Sequence, residues 1–218
     1  MYIVLTIFFV LLASAFLSLK AFRTVNKKYE GLISFWLTVV ATFIGVFVAL
    51  ALNNYDQHKS DISKTISLLE LCGYELGQVK LECDISQGLI DADPSVDIEN
   101  FISSNPISRA EFFDNIMRNE LFVRNVSLST FQALSRVNKN TQKIYAWLDV
   151  PNGSVDKKRI YETLGKIILY TQKIIATEIA YLNNEINLKS LDNQNEAHIM
   201  SLLSTTGGKR VELQNKQE

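Results

Sequence analysis

The chain has 218 residues and a formal net charge of −1 at pH 7. This length allows one domain of ordinary size plus membrane segments, but leaves little room for two domains. A net charge so close to zero provides no overall field that attracts nucleic acid or anionic lipid. Any such partner must therefore be argued from a local patch.

The first apolar run begins at the N-terminus and extends from residue 1 to residue 19. A signal peptide carries its basic residues ahead of a short apolar core, whereas the first basic residue here, Lys20, follows the run. We therefore predict a membrane helix near residues 2–20 instead of a signal peptide.

A second apolar run, from Gly31 to Tyr55, contains no charged residue. A helix needs about 20 apolar residues to cross a hydrocarbon core about 30 Å thick, so we predict a second membrane helix near residues 31–53. The segment between the two runs, KAFRTVNKKYE, is predicted to be the loop of a helical hairpin that occupies residues 1–55. The lipid bilayer is then the first partner of this protein.

The charges of the hairpin loop predict its orientation. The loop has four basic residues and one acidic residue, so the positive-inside rule puts it in the cytoplasm and the C-terminal domain outside. Lys59 and Lys64 follow the second helix closely and weaken this contrast. A cytoplasmic C-terminal domain therefore remains the alternative.

Beyond the second apolar run, apolar residues of the same helix recur every seven positions. A seven-residue repeat makes a narrow seam that packs against another helix, so we predict a long stalk. The seam consists of Tyr55, Ile62, Leu69, Leu76 and Cys83. One interpretation is that stalks of several copies pair and form a homo-oligomer. The other is that a helix of the same chain covers the seam.

The two cysteines, Cys72 and Cys83, would lie on the stalk about 16 Å apart along the helix axis. That distance excludes a disulfide between them. They are interpreted as buried thiols of the seam. An intermolecular disulfide would require paired stalks and an oxidising compartment.

Residues 56–204 are predicted to complete an all-α protein as a stalk and helical bundle domain, since no stretch alternates like a strand. Loop residues fill positions 91–106, and capping-box patterns start helices at Ser108 and Ser129. A single long helix is expected over residues 154–190, antiparallel to the stalk. A short helix near residues 196–203 and a loose tail at 205–218 follow.

The residues that usually carry catalysis or bind metals form no motif. His58 and His198 are the only histidines, and neither has a cysteine or second histidine at ligand spacing. Gly207-Gly208-Lys209 lacks the first glycine and the hydroxyl residue of a phosphate loop. We predict no metal, no cofactor and no enzymatic activity. A membrane enzyme whose catalytic groups assemble from distant residues is the remotest hypothesis.

One face of the second membrane helix is small and rich in hydroxyls. At 100° per residue, its members share a stripe that leads to two polar residues at the helix exit. The stripe consists of Ser34, Thr38, Ala41, Thr42, Gly45 and Ala49, followed by Asn53 and Asp56. It is interpreted either as a surface for close helix packing or as the lining of a pore in a ring of subunits.

A local basic patch lies on both sides of the Pro151 turn. Its residues are Arg136, Lys139, Lys143, Lys157, Lys158 and Arg159. Such a patch can hold an anionic ligand, an oligonucleotide or lipid headgroups. The competing interpretation is a solvated face, because Asp149, Asp156 and Glu162 dilute the charge. Specific binding of nucleic acid is not expected.

The span from Val39 to Leu76 resembles an uncharacterised class of small bacterial membrane proteins. In that class a Gly-x-x-x-Ala run, an Asn-Asn pair and an aromatic residue end the membrane helix. Here these are Gly45, Ala49, Asn53, Asn54 and Tyr55. The resemblance implies a bacterial inner membrane.

The two-helix architecture with a helical domain also resembles the membrane effectors of bacterial antiviral systems. That resemblance implies an oligomeric ion channel or pore-forming effector, gated by the helical domain and by a regulatory protein or anionic ligand. A non-conducting membrane-anchored sensor or scaffold is the alternative.

Overall fold

The computed structural model describes residues 20–93, 95–149 and 157–207, and every regular element in these ranges is an α-helix. The seven helices are α1 (Lys20–Ala92), α2 (Ile98–Ser104), α3 (Glu111–Ile116), α4 (Glu120–Asn125), α5 (Leu128–Leu148), α6 (Lys157–Leu182) and α7 (Leu188–Gly207). The predicted all-α class is confirmed. The chain divides into two units, Met1–Ser60 and Asp61–Glu218, which are described separately.

The first unit contains the start of α1. This helix carries a segment that is long and apolar enough to cross a membrane by length and composition. None of the most apolar stretch of that segment is buried within the chain. The predicted apolar helix therefore exists, and the side chains of its most apolar stretch are not buried by other described residues of the unit.

The loop predicted at residues 20–30 is wrong, because these residues form about the first three turns of α1. The segment KAFRTVNKKYE contains neither proline nor glycine and is rich in good helix formers, so nothing in it stops a helix. The first predicted membrane helix lies outside the described residues, apart from Lys20. The two-pass hairpin and its orientation stay predictions.

In the second unit, α1 and α6 run antiparallel. The Gln172 side-chain amide donates a hydrogen bond to the Gly73 carbonyl at 3.2 Å. A Cβ built on Gly73 would lie 3.9 Å from the side chain of Ile175, and one on Gly165 would lie 3.9 Å from Asp84. Residue numbers thus fall along α6 as they rise along α1, which is the predicted arrangement.

The core of the second unit lies between these two helices and the shorter ones. Its fully buried large side chains come from six helices and from both sides of the α1–α6 contact. They include Leu69, Leu76, Phe113, Phe122, Leu134, Tyr161, Leu164, Ile167, Ile168, Ile174 and Leu191.

The region between α1 and α3 contains a helix where loop residues were predicted. The Asp97 carboxylate accepts hydrogen bonds from the backbone N–H groups of Glu99 and Asn100 and caps α2. An aspartate at this position satisfies donors that the first helical turn leaves unpaired. The polar residues that indicated a loop therefore include a helix cap.

The capping box predicted at Ser108 is wrong. The Ser108 backbone N–H and hydroxyl both donate to the Glu82 carboxylate of α1. At the start of α3, the Glu75 carboxylate accepts from the N–H groups of Phe112 and Phe113 at 2.9 and 3.0 Å. The helix is thus capped from α1, since a carboxylate at a helix N-terminus satisfies its free donors wherever it comes from in sequence.

Helix α5 agrees with its prediction except at its start. The cap is Ser127 instead of Ser129, and its hydroxyl accepts from the Thr130 N–H at 3.2 Å. The helix ends at Leu148, close to the predicted stop. The turn predicted at Pro151-Asn152-Gly153 lies outside the described residues.

The single helix predicted over residues 154–190 is wrong, because it is divided into α6 and α7. Asn184 has a positive φ of 61°, the Glu185 N–H donates to the Ala180 carbonyl, and the Asn184 N–H donates to the Tyr181 carbonyl. This is a Schellman ending, which asparagine tolerates nearly as well as glycine. Helix α7 is consequently longer than the predicted 196–203 helix. Residues 208–218 lie outside the described part.

Candidate functional site

The predicted oligomer seam is part of the core of a single chain. Leu69, Leu76 and Cys83 are 0%, 2% and 0% exposed. Ile62 is partly buried and packs against the same core, whereas Tyr55 is exposed in the first unit. The subunit-seam interpretation is therefore wrong for the three buried residues. Helix α6 and the short helices cover them, which is the alternative that the sequence left open.

Both cysteines are buried, as predicted. Burial raises the pKa of the Cys72 thiol and of the Cys83 thiol to about 12. A thiol with such a pKa holds its proton at neutral pH and is a weak nucleophile. The cysteines are therefore structural residues of the core.

The two threonine hydroxyls of the predicted pore-lining stripe are satisfied by their own helix. The Thr38 hydroxyl donates to the Ser34 carbonyl at 2.9 Å, and the Thr42 hydroxyl donates to the Thr38 carbonyl at 2.8 Å. A Cβ atom added to Gly45 would have no neighbouring side chain within 4 Å. The remaining stripe members, Ala41, Ala49, Asn53 and Asp56, are also exposed. The stripe is therefore an open face of α1 in the single chain.

The predicted basic patch lies on two helices. Arg136, Lys139 and Lys143 are exposed on one face of α5, and Arg159 is exposed near the start of α6. The side chains of Lys157 and Lys158 are outside the described part of the chain. All four described members are exposed, which is compatible with a solvated face.

A cleft that the sequence did not indicate is lined by residues of α2, α3, α5 and α6. It consists of two adjoining cavities of about 410 and 340 Å³, and both have Arg109, Tyr145 and Asp149 in their walls. We call it the Arg109 cleft. The wall of the larger cavity includes Asp114 and Gln142. The smaller cavity adds Ile102, Pro106, Ile107, Leu148 and Tyr161.

Arg109 is held at the shared wall by two contacts. Its guanidinium donates to the Asp149 carboxylate at 2.5 Å and lies 5.7 Å from the centre of the Tyr145 ring. The Tyr145 hydroxyl donates to the Ser108 carbonyl at 3.2 Å. Asp149 follows the last turn of α5, so the ion pair links the start of α3 to the end of α5. Because each charge has a partner, the shared wall is close to neutral.

Tyr161 of α6 is completely buried and lines the smaller cavity. Its hydroxyl has no hydrogen-bond partner among the described residues. Leaving such a group unpaired costs about 1–3 kcal/mol, so buried hydroxyls nearly always have a partner. Burial also raises the Tyr161 pKa to about 12, which keeps the O–H proton at physiological pH. One residue of the cleft wall thus carries a buried hydroxyl with no hydrogen-bond partner among the described residues.

No local signal in the sequence identifies this site. Arg109, Tyr145 and Tyr161 are separated by 36 and 16 positions and share no motif. The cleft arises from packing of α2, α3, α5 and α6, which the sequence pattern does not specify.

The described residues define an all-α protein that combines a helix suited to cross a membrane with a helical domain containing a cleft. No group of three or more His, Cys, Asp or Glu side chains in these ranges is placed to hold a metal. Comparisons with models of protein families, with curated proteins and with solved structures find no match.

Proposed function

We propose that the protein is a membrane-anchored sensor whose helical domain binds a small molecule in the Arg109 cleft. The observation that carries this proposal is Tyr161, a residue of the smaller cavity's wall whose buried hydroxyl has no hydrogen-bond partner among the described residues. The apolar segment of α1 supports the anchor. The cavity volumes, about 340 and 410 Å³, are at the lower end of the range of ligand pockets.

The lining of the smaller cavity indicates the chemistry of the ligand. Ile102, Ile107 and Leu148 are apolar members of its wall. We infer that the unpartnered Tyr161 hydroxyl would form a hydrogen bond with the ligand. The Arg109 charge is already neutralised by Asp149, so a charged ligand would have to break that pair. We infer a ligand with a small apolar body and an uncharged polar head.

A series of three probes with one ring and different heads tests this inference. Benzamide is neutral, benzoate is an anion and benzylamine is a cation at pH 7. We expect saturation-transfer NMR on the full-length protein in nanodiscs to detect benzamide more strongly than the two charged probes. Tyr161→Phe should remove the benzamide signal, because the ring remains and only the hydroxyl is lost.

Tyr170→Phe is the matched control, since Tyr170 lies on the same helix but does not line the cleft. This variant should bind benzamide like the unchanged protein. Equal signals from Tyr161→Phe and unchanged protein would contradict the proposed site. A stronger signal from benzoate would contradict the uncharged head.

The second candidate is the oligomeric channel or pore-forming effector, with a role in bacterial antiviral defence. The exposed face of Ala41, Gly45 and Ala49 favours it, because small residues let membrane helices approach closely. Gly45→Leu or Ala49→Leu would block ion flux and keep the oligomer if this face lines a pore. The same changes would disrupt the oligomer if the face is a packing surface. Liposome flux and complex mass on the same variants separate the two.

A further inference from the structure

Helix α1 is apolar on its outer face as well as on its core face. Leu71, Tyr74, Leu81, Ile85 and Leu89 are between 50% and 66% exposed. We call these five residues the outer row. A helix on the surface of a domain normally presents polar residues to water, so five large apolar side chains within nineteen positions need a partner.

The spacing of the outer row indicates the shape of that partner. Leu71, Tyr74, Leu81 and Ile85 occupy positions of an alternating three-and-four repeat, and Gln78 fills the remaining position. This repeat makes a straight seam that fits the side chains of another helix. The core residues Leu69 and Leu76 are on a different face, so the seam is available while the domain is folded.

The charges around the outer row indicate the chemistry of the partner. From Glu70 to Asp91, α1 carries five carboxylates and one lysine, Lys80, which pairs with Asp84. Glu75 and Glu82 are fixed in place by the hydrogen bonds that they accept from the start of α3 and from Ser108. The seam is therefore bordered by negative charge whose position does not depend on a partner.

We propose that the outer row is a docking surface for an amphipathic helix of another protein, with an apolar seam flanked by lysine or arginine. A second copy of α1 would bring carboxylates against carboxylates in a parallel or an antiparallel pair, which disfavours self-association. A partner helix of this kind would cover the apolar outer row and place its basic residues against the carboxylates beside it. This surface is separate from the Arg109 cleft and does not depend on a ligand there.

Two synthetic peptides test the proposal. Both are about three heptads long with leucine in the seam, and one has lysine and the other glutamate in the flanking positions. Fluorescence anisotropy measures their binding to the full-length protein in phosphatidylcholine nanodiscs, with empty nanodiscs as background. The lysine peptide should bind with a Kd at least about tenfold lower than that of the glutamate peptide.

Leu81→Gln with Ile85→Gln should weaken the lysine peptide by about tenfold or more, because it removes the centre of the seam. Both side chains are half exposed, so the domain should remain folded. Leu188→Gln with Met200→Gln on α7 is the control and should bind like the unchanged protein. Equal binding of the two peptides, or unchanged binding by the Leu81 and Ile85 variant, would overturn the proposal. Self-association that this variant abolishes would also overturn it and assign the surface to a second copy.

Discussion

Residues 34–60 and residues 61–92 belong to the same helix, but their surroundings differ. Thr42 and Thr65 show the contrast, since each hydroxyl donates to the carbonyl four residues earlier. Thr42 is exposed, whereas Thr65 is fully buried and also accepts a hydrogen bond from the Asn125 amide. The sequence pattern suggested an intersubunit face in both regions. In the first region that predicted face is open in the single chain, whereas in the second region the predicted face, with Leu69 and Leu76, is buried.

The largest expected effect comes from a charge in the buried seam. Leu69→Asp should unfold the helical domain or cost at least about 4 kcal/mol, because the carboxylate has no water or cation in the core. Leu71→Asp, two positions away on the exposed face, should cost less than about 1 kcal/mol. Denaturation of the full-length protein, followed by circular dichroism, compares them. If the Leu69→Asp variant kept its full helicity and lost only an oligomer, that result would contradict the claim that Leu69 lies in the core of a single chain.

The next largest loss of stability is expected from the removal of a buried carboxylate. Glu178 is fully buried and accepts hydrogen bonds from the Ser127 N–H, the Ser127 hydroxyl and the Thr130 hydroxyl. Glu178→Ala leaves these donors unpaired and should cost about 3 kcal/mol in the free energy of unfolding.

Glu162→Ala on the same helix is the control for Glu178→Ala. Glu162 is close to half exposed and pairs with Lys166 one turn away, so its loss should cost no more than about 0.5 kcal/mol. Chemical denaturation measures both variants. Equal costs would show that the buried hydrogen bonds contribute no more than the exposed pair.

Two tyrosines should respond in opposite directions. Tyr145→Phe should destabilise the domain by about 1 kcal/mol, because its hydroxyl donates to the Ser108 carbonyl. Tyr161→Phe should leave stability unchanged or raise it by about 1 kcal/mol, because its hydroxyl has no partner among the described residues. Thermal unfolding without ligand gives the comparison. Marked destabilisation by Tyr161→Phe would mean that the hydroxyl is already satisfied.

The smallest effect is expected in the open region of α1. Thr42→Val should change stability by less than about 0.5 kcal/mol, since its hydroxyl bonds only to its own exposed helix. Thr65→Val should cost about 1–2 kcal/mol because the buried Asn125 contact is lost. Unfolding in nanodiscs measures both. A larger cost for Thr42→Val would indicate that its hydroxyl contacts another chain.

The sequence predicts the helices well where a pattern is local. The seven-residue repeat identified the face of α1 that contains Leu69 and Leu76, and the spacing in residues 154–190 identified its antiparallel neighbour. Neither pattern states whether the partner helix belongs to the same chain, because a heptad seam fits either.

Features that depend on distant residues were not predictable. Glu75 and Glu82 cap segments more than twenty positions away, so no capping pattern includes them. The division at Asn184 depends on a left-handed conformation that asparagine permits but does not require. The Arg109 cleft depends on how four helices pack, and its members have no common spacing.

Thiol accessibility during dilution tests the central claim that the Leu69, Leu76 and Cys83 face is buried by its own chain. Cys72 and Cys83 are the only cysteines, so a maleimide reports on this face alone. Labelling and particle mass are measured together while the detergent-solubilised protein is diluted. If the face is buried by its own chain, both thiols should stay protected when the mass is that of one chain. They should react only when denaturant unfolds the domain. Rapid labelling of folded monomers, with protection restored in an oligomer, would contradict it.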